Sequence, residues 1–283
     1  MPLNSTSKSS PPPQVLMERC IRRPWEAYVE PFRMAPGVWY IAGNDWVACY
    51  LLETTDGLIL IDTAMHENLY LLLQNIYKIG RTPFEIKKVL ISHAHIDHMG
   101  AARALKELLP AAQFYLGERD LEFLHERPEL IAGSPSVTWG LFEPDALYAD
   151  DKPIVLGDFT VKTVSSPGHT PGCTSFFFDV TEKSGRVLTC GMHGGVGLNT
   201  LTREYFEEMR QPSSLRDEFI EGLKKLDLLE VDICLPSHTN QVGILPLRSQ
   251  YSEEFNPFVD PSIWHELMNE RLERTYALIA AGQ

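Results

Sequence analysis

The sequence predicts an α/β protein in which two sheets pack face to face with helices on their outer sides. Runs of β-branched and aromatic residues bounded by Gly or Asp alternate along the chain with apolar residues at helical spacing. Each half of the chain opens with strands and continues as mixed strand and helix. No clean repeat and no linker separates the halves, so residues 16–283 read as one domain, long enough for a substantial core.

Residues 1–15 begin "MPLNSTSKSSPPPQ". This polar, Pro/Ser-rich stretch cannot bury enough apolar surface to order itself and is expected to be a disordered tail. It lacks the apolar segment of a secretory signal, which makes a cytoplasmic location the expectation. The runs "GVWYIAG", "WVACYLLET" and "GLILIDT" follow as strands joined in hairpins. "HENLYLLLQNIYKIG" has helical spacing and a glycine, Gly80, where a helix ends. "EIKKVLIS" is a strand. "MGAARALKELLP" is a helix with Leu105, Leu108 and Leu109 on one side, stopped by Pro110. "AQFYLG" reads as a strand and "ERDLEFLHE" as a helix. Residues 127–152, rich in Pro, Gly and Asp, read as a long loop in which Trp139, Leu141 and Phe142 suggest a lid or pocket wall.

In the second half "FTVKTVSS", "CTSFFFDV" and "RVLTCGM" are strands, with the tight loop "PGHTPG" after the first. "SSLRDEFIEGLKKLDLL" is a helix and "VDICLPS" a strand. The last helix starts at Asp260–Pro261, a cap followed by a first-turn proline, with Trp264, Leu267, Met268, Leu272 and Ile279 facing inward.

A formal net charge of −13 with no local basic patch argues against a nucleic-acid partner. No apolar run approaches the roughly 18 residues of a membrane span. The five cysteines are widely spaced, odd in number and lack any C-x-x-C, so they read as buried free thiols, neither a disulfide framework nor a zinc knuckle.

The chemistry concentrates in "ISHAHIDHMG". His93 and His95 alternate in an extended segment, so their rings leave on one side. Asp97 and His98 lie beyond, where a helix begins, and a turn there swings both toward the same place. Imidazole nitrogen and carboxylate oxygen suit Zn²⁺ or a similar cation. Two distant histidines complete the pattern: His169 in "SPGHTPG" and His238 in "LPSHTN", each directly after a strand. The expected ligands are His93, His95 and His169 for one ion, and Asp97, His98 and His238 for the other. Three protein ligands and an open position mark a catalytic site. Three imidazoles and a carboxylate gathered with no ligand would carry an uncompensated desolvation cost. Asp62, ending a buried strand, is expected to support a ligating histidine through its other ring nitrogen. His193 in "TCGMHGGVG" can approach the site as a group supporting the ligands from behind, as a substrate contact or as a catalytic group. Trp139, Phe142 and Asn199 are candidate substrate contacts, and His66, His125 and His265 read as surface residues.

Over roughly residues 30–245 these motifs, "LILIDT", "SHAHIDHMG", "PGHTPGCTSF" and "LPSH", resemble the metallo-β-lactamase superfamily. The resemblance implies a four-layer αβ/βα sandwich with the metals at one edge of the two sheets. It is nearest to the third subclass of metallo-β-lactamases, which uses the same six ligands and no carboxylate between the metals. Lactonase and glyoxalase II branches carry a bridging Asp where this chain has Gly191 or Met192 in "CGMHGG". The subclass usually has serines in the segment matching "MHGGVG", and this chain has none. The resemblance therefore implies a two-zinc hydrolase of small molecules in which hydroxide at the metal pair attacks an amide or lactam carbonyl. Asp97 would orient the nucleophile. Another cyclic amide, a lactone, an ester or a thioester is the alternative substrate. Iron-based redox chemistry on the same fold generally needs the missing carboxylate.

Overall fold

In the computed structural model residues 12–126, 141–149 and 151–283 are described. One sheet takes the chain's strands in sequence order: β1 (Phe32–Ala35), β2 (Val38–Tyr40), β3 (Tyr50–Thr54), β4 (Gly57–Ile61), β5 (Ile86–Leu90), β6 (Gln113–Leu116) and β7 (Ala146–Leu147). β1 to β4 are antiparallel hairpins, and β4 to β7 run parallel. The β3–β4 turn needs Gly57, whose φ is +132° and where a Cβ would lie 2.7 Å from the Glu85 carbonyl. Parallel pairing requires helical crossovers. α2 (Leu69–Lys78) joins β4 to β5, and α3 (Ile96–Met99) with α4 (Ala102–Leu108) join β5 to β6. α5 (Glu118–Glu126) follows β6.

The second sheet has the order β12-β11-β10-β9-β8, built from β8 (Ile154–Leu156), β9 (Phe159–Ser165), β10 (Thr174–Thr181), β11 (Val187–Met192) and β12 (Ile233–Cys234). β11 and β12 pair in parallel and the other strands antiparallel. β10 shows why there are four layers. Successive side chains of a strand face opposite ways. Phe176 and Phe178 enter the core between the sheets. Phe177 enters a second core under α6 (Arg203–Met209), α7 (Ser214–Asp227) and α8 (Ser262–Ala280). Trp264 of α8 fills that second core, its ring edge-on to Phe177 and its Nε1 donating to the Leu226 carbonyl at 2.8 Å.

Several expectations need correction. The predicted tail overlaps α1 (Pro13–Arg22), which is held by Arg19 donating to both oxygens of Asp45 and by Asn68 donating to the Cys20 carbonyl. The predicted 99–110 helix is the shorter α4, preceded by the one-turn α3 that ends at Met99, and Leu108 is exposed rather than beside buried Leu105 and Leu109. Ile279 is likewise exposed, since α8 outruns the core it packs on. β1, α6 and β7 had no clear pattern: β1 and β7 are too short to show alternation, and α6 sits in a charged stretch. All five cysteines are buried free thiols.

Backbone hydrogen bonds tie the sheets together at one end. Thr174 donates to the Ser92 carbonyl, Ala48 to Ser237, and Thr239 to Trp46, with an isolated bridge between Val47 and His238. The ends of β4, β5, β9 and β12 meet there.

Candidate metal centre

At the C-terminal ends of parallel strands the loops that carry chemistry are fixed by rigid neighbours. Asp62 leaves β4, His93 and His95 leave β5, His169 sits between β9 and β10, and His238 follows β12. The structure brings all six expected ligand residues together as two groups. His93, His95 and His169 offer nitrogens within 4.8 Å of one another, and so do the nitrogens and carboxylate of Asp97, His98 and His238.

The donor sets fit zinc. Four ligands at about 2.0–2.1 Å in a tetrahedron lie about 3.3 Å apart. His95 Nδ1 and His169 Nε2 are 3.1 Å apart, and His98 Nε2 and His238 Nε2 are 3.2 Å apart. Asp97 Oδ2 is 3.6 Å from each of His98 Nε2 and His238 Nε2. His93 Nε2 is buried with no hydrogen-bond partner, which is costly unless an ion takes its lone pair. Superfamily resemblance aside, this chemistry of nitrogen and oxygen donors matches Zn²⁺.

A second layer of hydrogen bonds aims the rings. Asp62, fully buried, accepts the Ser92 backbone N–H and the Ser92 hydroxyl at 2.7 Å each, and lies 2.8 Å from His98 Nδ1. That fixes the proton of His98 on Nδ1 and frees Nε2. The Ser92 oxygen, its proton given to Asp62, is left to accept from His93 Nδ1 at 3.0 Å. His169 Nδ1 donates to the Gly197 carbonyl at 2.9 Å.

One member of this layer was not singled out from sequence. Asp120 of α5 is fully buried and accepts the Ala94 N–H at 2.7 Å, the Thr170 hydroxyl at 2.9 Å and the Gly172 N–H at 2.6 Å. It thus joins the segment carrying His93 and His95 to the loop carrying His169. Gly172 makes the approach possible, because a Cβ there would lie 2.4 Å from the Asp120 nitrogen.

Burial pushes His95 down to about 4 and His238 down to about 3, and holds His93 and His169 well below the usual histidine range. Burial also opposes charge on Asp97 and His98, but Asp97 with Asp62 raises His98, and the facing histidines hold Asp97 below the usual carboxylate value. The neutral imidazoles are in the form that binds metal.

A cavity of about 1240 Å³ opens over both groups. His95, Asp97, His169 and His238 reach it, as does Asn199. Phe142 does not reach it. Its ring lies in the main core beside Phe114, away from this cavity; the apolar residue of a polar loop found the core instead. Trp139 lies outside the described residues. His193 is buried against Phe219, accepts the Gly195 N–H at Nδ1 and does not line the cavity, a place behind the ligands rather than at the substrate. It can act only through the 195–197 turn behind His169. Gly191 and Met192 are buried and away from the cavity, so no carboxylate stands at that strand end.

A family model for the metallo-β-lactamase superfamily matches residues 43–238, more than half of the chain. The chain belongs to the metallo-β-lactamase superfamily. That makes it an enzyme of a superfamily of zinc hydrolases. The two-sheet fold of this metallo-β-lactamase-type chain is similar to BJP-1, a subclass B3 metallo-β-lactamase of Bradyrhizobium japonicum. The TM-score is 0.80 at 27% identity, over 92% of this chain and 99% of that one. By sequence it is 32% identical over 120 residues to the N-acyl homoserine lactonase AttM of Azorhizobium caulinodans, 39% of this chain and 43% of that protein. It is 29% identical over 133 residues to the uncharacterized protein YobT of Bacillus subtilis, 46% of this chain and 56% of that protein. The chain spans about half the length of these curated relatives. Among the described residues no helix is long and apolar enough to cross a membrane.

Proposed function

We propose that this metallo-β-lactamase-fold chain is a two-zinc hydrolase that opens an amide or lactam carbonyl, β-lactams being the first substrates to try. The observation that carries this reading is the pair of three-ligand groups on one cavity floor. His93, His95 and His169 would hold one ion and Asp97, His98 and His238 the other. When bound, such ions supply Lewis acidity and lower the pKa of water to about 7.

The chain's own residues supply the rest. Asp97, kept ionised and reaching the cavity, can accept a hydrogen bond from a water there and orient it toward the carbonyl. Asp62 and Gly197 keep the ring protons of His98 and His169 off the nitrogens that face the cavity floor. Asn199, at the mouth of the site, can donate to a polar substrate group. A lactone or thioester is the second reading, favoured by the likeness to AttM and to the hydroxyacylglutathione hydrolase GloC of Haemophilus influenzae, 28% identical over 51% of this chain.

The test is metal analysis coupled to hydrolysis of nitrocefin, a carbapenem, a lactone series and a thioester. The expected result is two zinc equivalents and fastest turnover of a lactam. A protein loaded with two equivalents that hydrolyses none of them would sink the reading. So would full turnover by His95→Ala.

A further inference from the structure

The cavity wall holds a mostly buried cation whose acidic neighbour is shared with a second arginine. α8 presents Arg271 to the cavity one turn beyond Leu267, opposite the Met17 and Ile21 face of α1. The Arg271 side chain is only 14% exposed. Its Nε is fully buried without a hydrogen bond, although the Glu270 carboxylate lies 3.1 Å away. Among the described residues its guanidinium donates no hydrogen bond at all. The same carboxylate is shared, its other oxygen accepting from Arg274 Nη1 at 3.0 Å. A guanidinium nitrogen removed from water and left without a hydrogen bond is costly, and it calls for an explanation.

We propose that Arg271 anchors a carboxylate carried by the substrate. This rests on the hydrolase reading only in placing the substrate in this cavity. A guanidinium presents a planar fork that grips a carboxylate through two parallel hydrogen bonds. Its position supports the assignment: Arg271 lines the same cavity as His95, Asp97, His169 and His238 of the candidate metal centre. A monoanion fits better than a phosphate dianion, because Glu18, Glu266 and Glu270 share the wall and would repel the second charge. Arg22 and Arg274 do not compete for the role: both are mostly exposed and already paired, with Glu18 and Glu270. Met17, Ile21 and Leu267 flank the site, so the ligand would combine an apolar acyl part with its carboxylate.

The probes are N-hexanoylglycine and its primary amide, identical but for the terminal charge. Binding of each to the zinc-loaded protein is measured by calorimetry for the wild type, Arg271→Gln, Arg271→Lys and Lys183→Gln. The wild type should bind the acid about tenfold tighter than the amide, the scale of a hydrogen bond to a charged group. Arg271→Gln should bring the two within about twofold, and Arg271→Lys should fall between, keeping charge but losing the fork. Lys183→Gln, at an exposed position away from the cavity, should keep the full ratio. The proposal is overturned by a wild-type ratio near one, by no binding of either probe at millimolar concentration, by an unchanged ratio in Arg271→Gln, or by loss of the ratio in Lys183→Gln. Hydrolysis of the lactam and lactone panel by the same preparations is read separately. An acid preference without any turnover would sink the hydrolase reading and leave this anchor standing, and turnover without an acid preference would do the reverse.

Discussion

Asp120 and Ala94 are joined by a 2.7 Å hydrogen bond from the Ala94 N–H to Asp120 Oδ2, and Ala94 is the residue between His93 and His95. The same carboxylate holds Thr170 and Gly172 on either side of Pro171, next to His169. One buried side chain therefore sets the spacing of two segments whose histidines must converge.

Removing that carboxylate should loosen the first group of ligands and leave the second alone. Asp120→Ala strands two buried N–H donors, at about 1–3 kcal/mol for an unsatisfied group. Its melting temperature should drop, and the zinc held by His93, His95 and His169 should bind about 10- to 100-fold more weakly, as for other groups that orient ligands. Asp120→Asn can keep the Ala94 and Thr170 bonds on one oxygen and lose the Gly172 bond, so it should fall between. Chelator competition that finds both zinc sites of Asp120→Ala as tight as in the wild type would refute the bracing role.

Asp120 should also leave a mark on the pH dependence of stability. Burial raises it to about 6, against an ordinary value of about 3.9, so at neutral pH it is still ionised and accepts its three donors. Between about pH 4 and 6 the folded chain keeps a proton on Asp120 that the unfolded chain has released. The contribution of this group to stability therefore falls as pH rises through that window and grows as pH falls. Urea unfolding of zinc-free wild type and Asp120→Asn should show the wild type gaining on the variant from about pH 6 down to about pH 4. A constant difference would exclude the raised value.

Asp62 makes a cleaner case for the second group. Its φ is +60°, a conformation that asparagine tolerates and most residues do not, so Asp62→Asn preserves the backbone while removing the charge. An asparagine cannot accept from Ser92 N, Ser92 Oγ and His98 Nδ1 at once as the carboxylate does. Zinc at Asp97, His98 and His238 should weaken about 10- to 100-fold, with a smaller loss at the first group, which Asp62 reaches only through Ser92. Equal weakening of both sites would show that Asp62 serves the fold and not His98.

These residues differ in how far the sequence reveals them. The period of two in "SHAH" and the position of His169 and His238 directly after strands are local signals, and the structure gathers those side chains as the pattern implies. Asp62 was legible for the same reason, since it ends a buried strand. Asp120 was not. Within "ERDLEFLHE" it looks like one more acid on a surface helix, and only the fold, by laying the 94 and 170 segments against it, makes it internal. The one hint was Gly117 and Gly172, which are in close contact across the two loops. Phe142 misled for the opposite reason: an aromatic in a polar loop shows that something apolar must be buried, but not where. His193 follows a strand as His169 does, yet its ring turns toward Phe219 and away from the cavity. Strand alternation alone does not decide which of two sheet faces a residue at a strand end will choose.

Two glycine substitutions separate packing on a ligand from effects on the backbone. Gly195 lies behind His169, and a Cβ there would come within 2.4 Å of His169 Cδ2. Its backbone is outside the left-handed region, so alanine is conformationally acceptable and the clash falls on the imidazole ring. Gly222 lies in α7 with nothing within 4 Å of its added Cβ. Gly222→Ala should stabilise the chain by about 0.5–1 kcal/mol, the usual gain of alanine over glycine inside a helix, with zinc binding and hydrolysis unchanged. Gly195→Ala should displace the His169 ring, lower the first zinc affinity and reduce turnover by more than tenfold, with a smaller effect on the melting temperature of the zinc-free protein. The comparison is decisive in one direction: because His169 is the only side chain in the path of the new methyl group's three nearest contacts, wild-type zinc affinity in Gly195→Ala would mean that this ring does not hold metal.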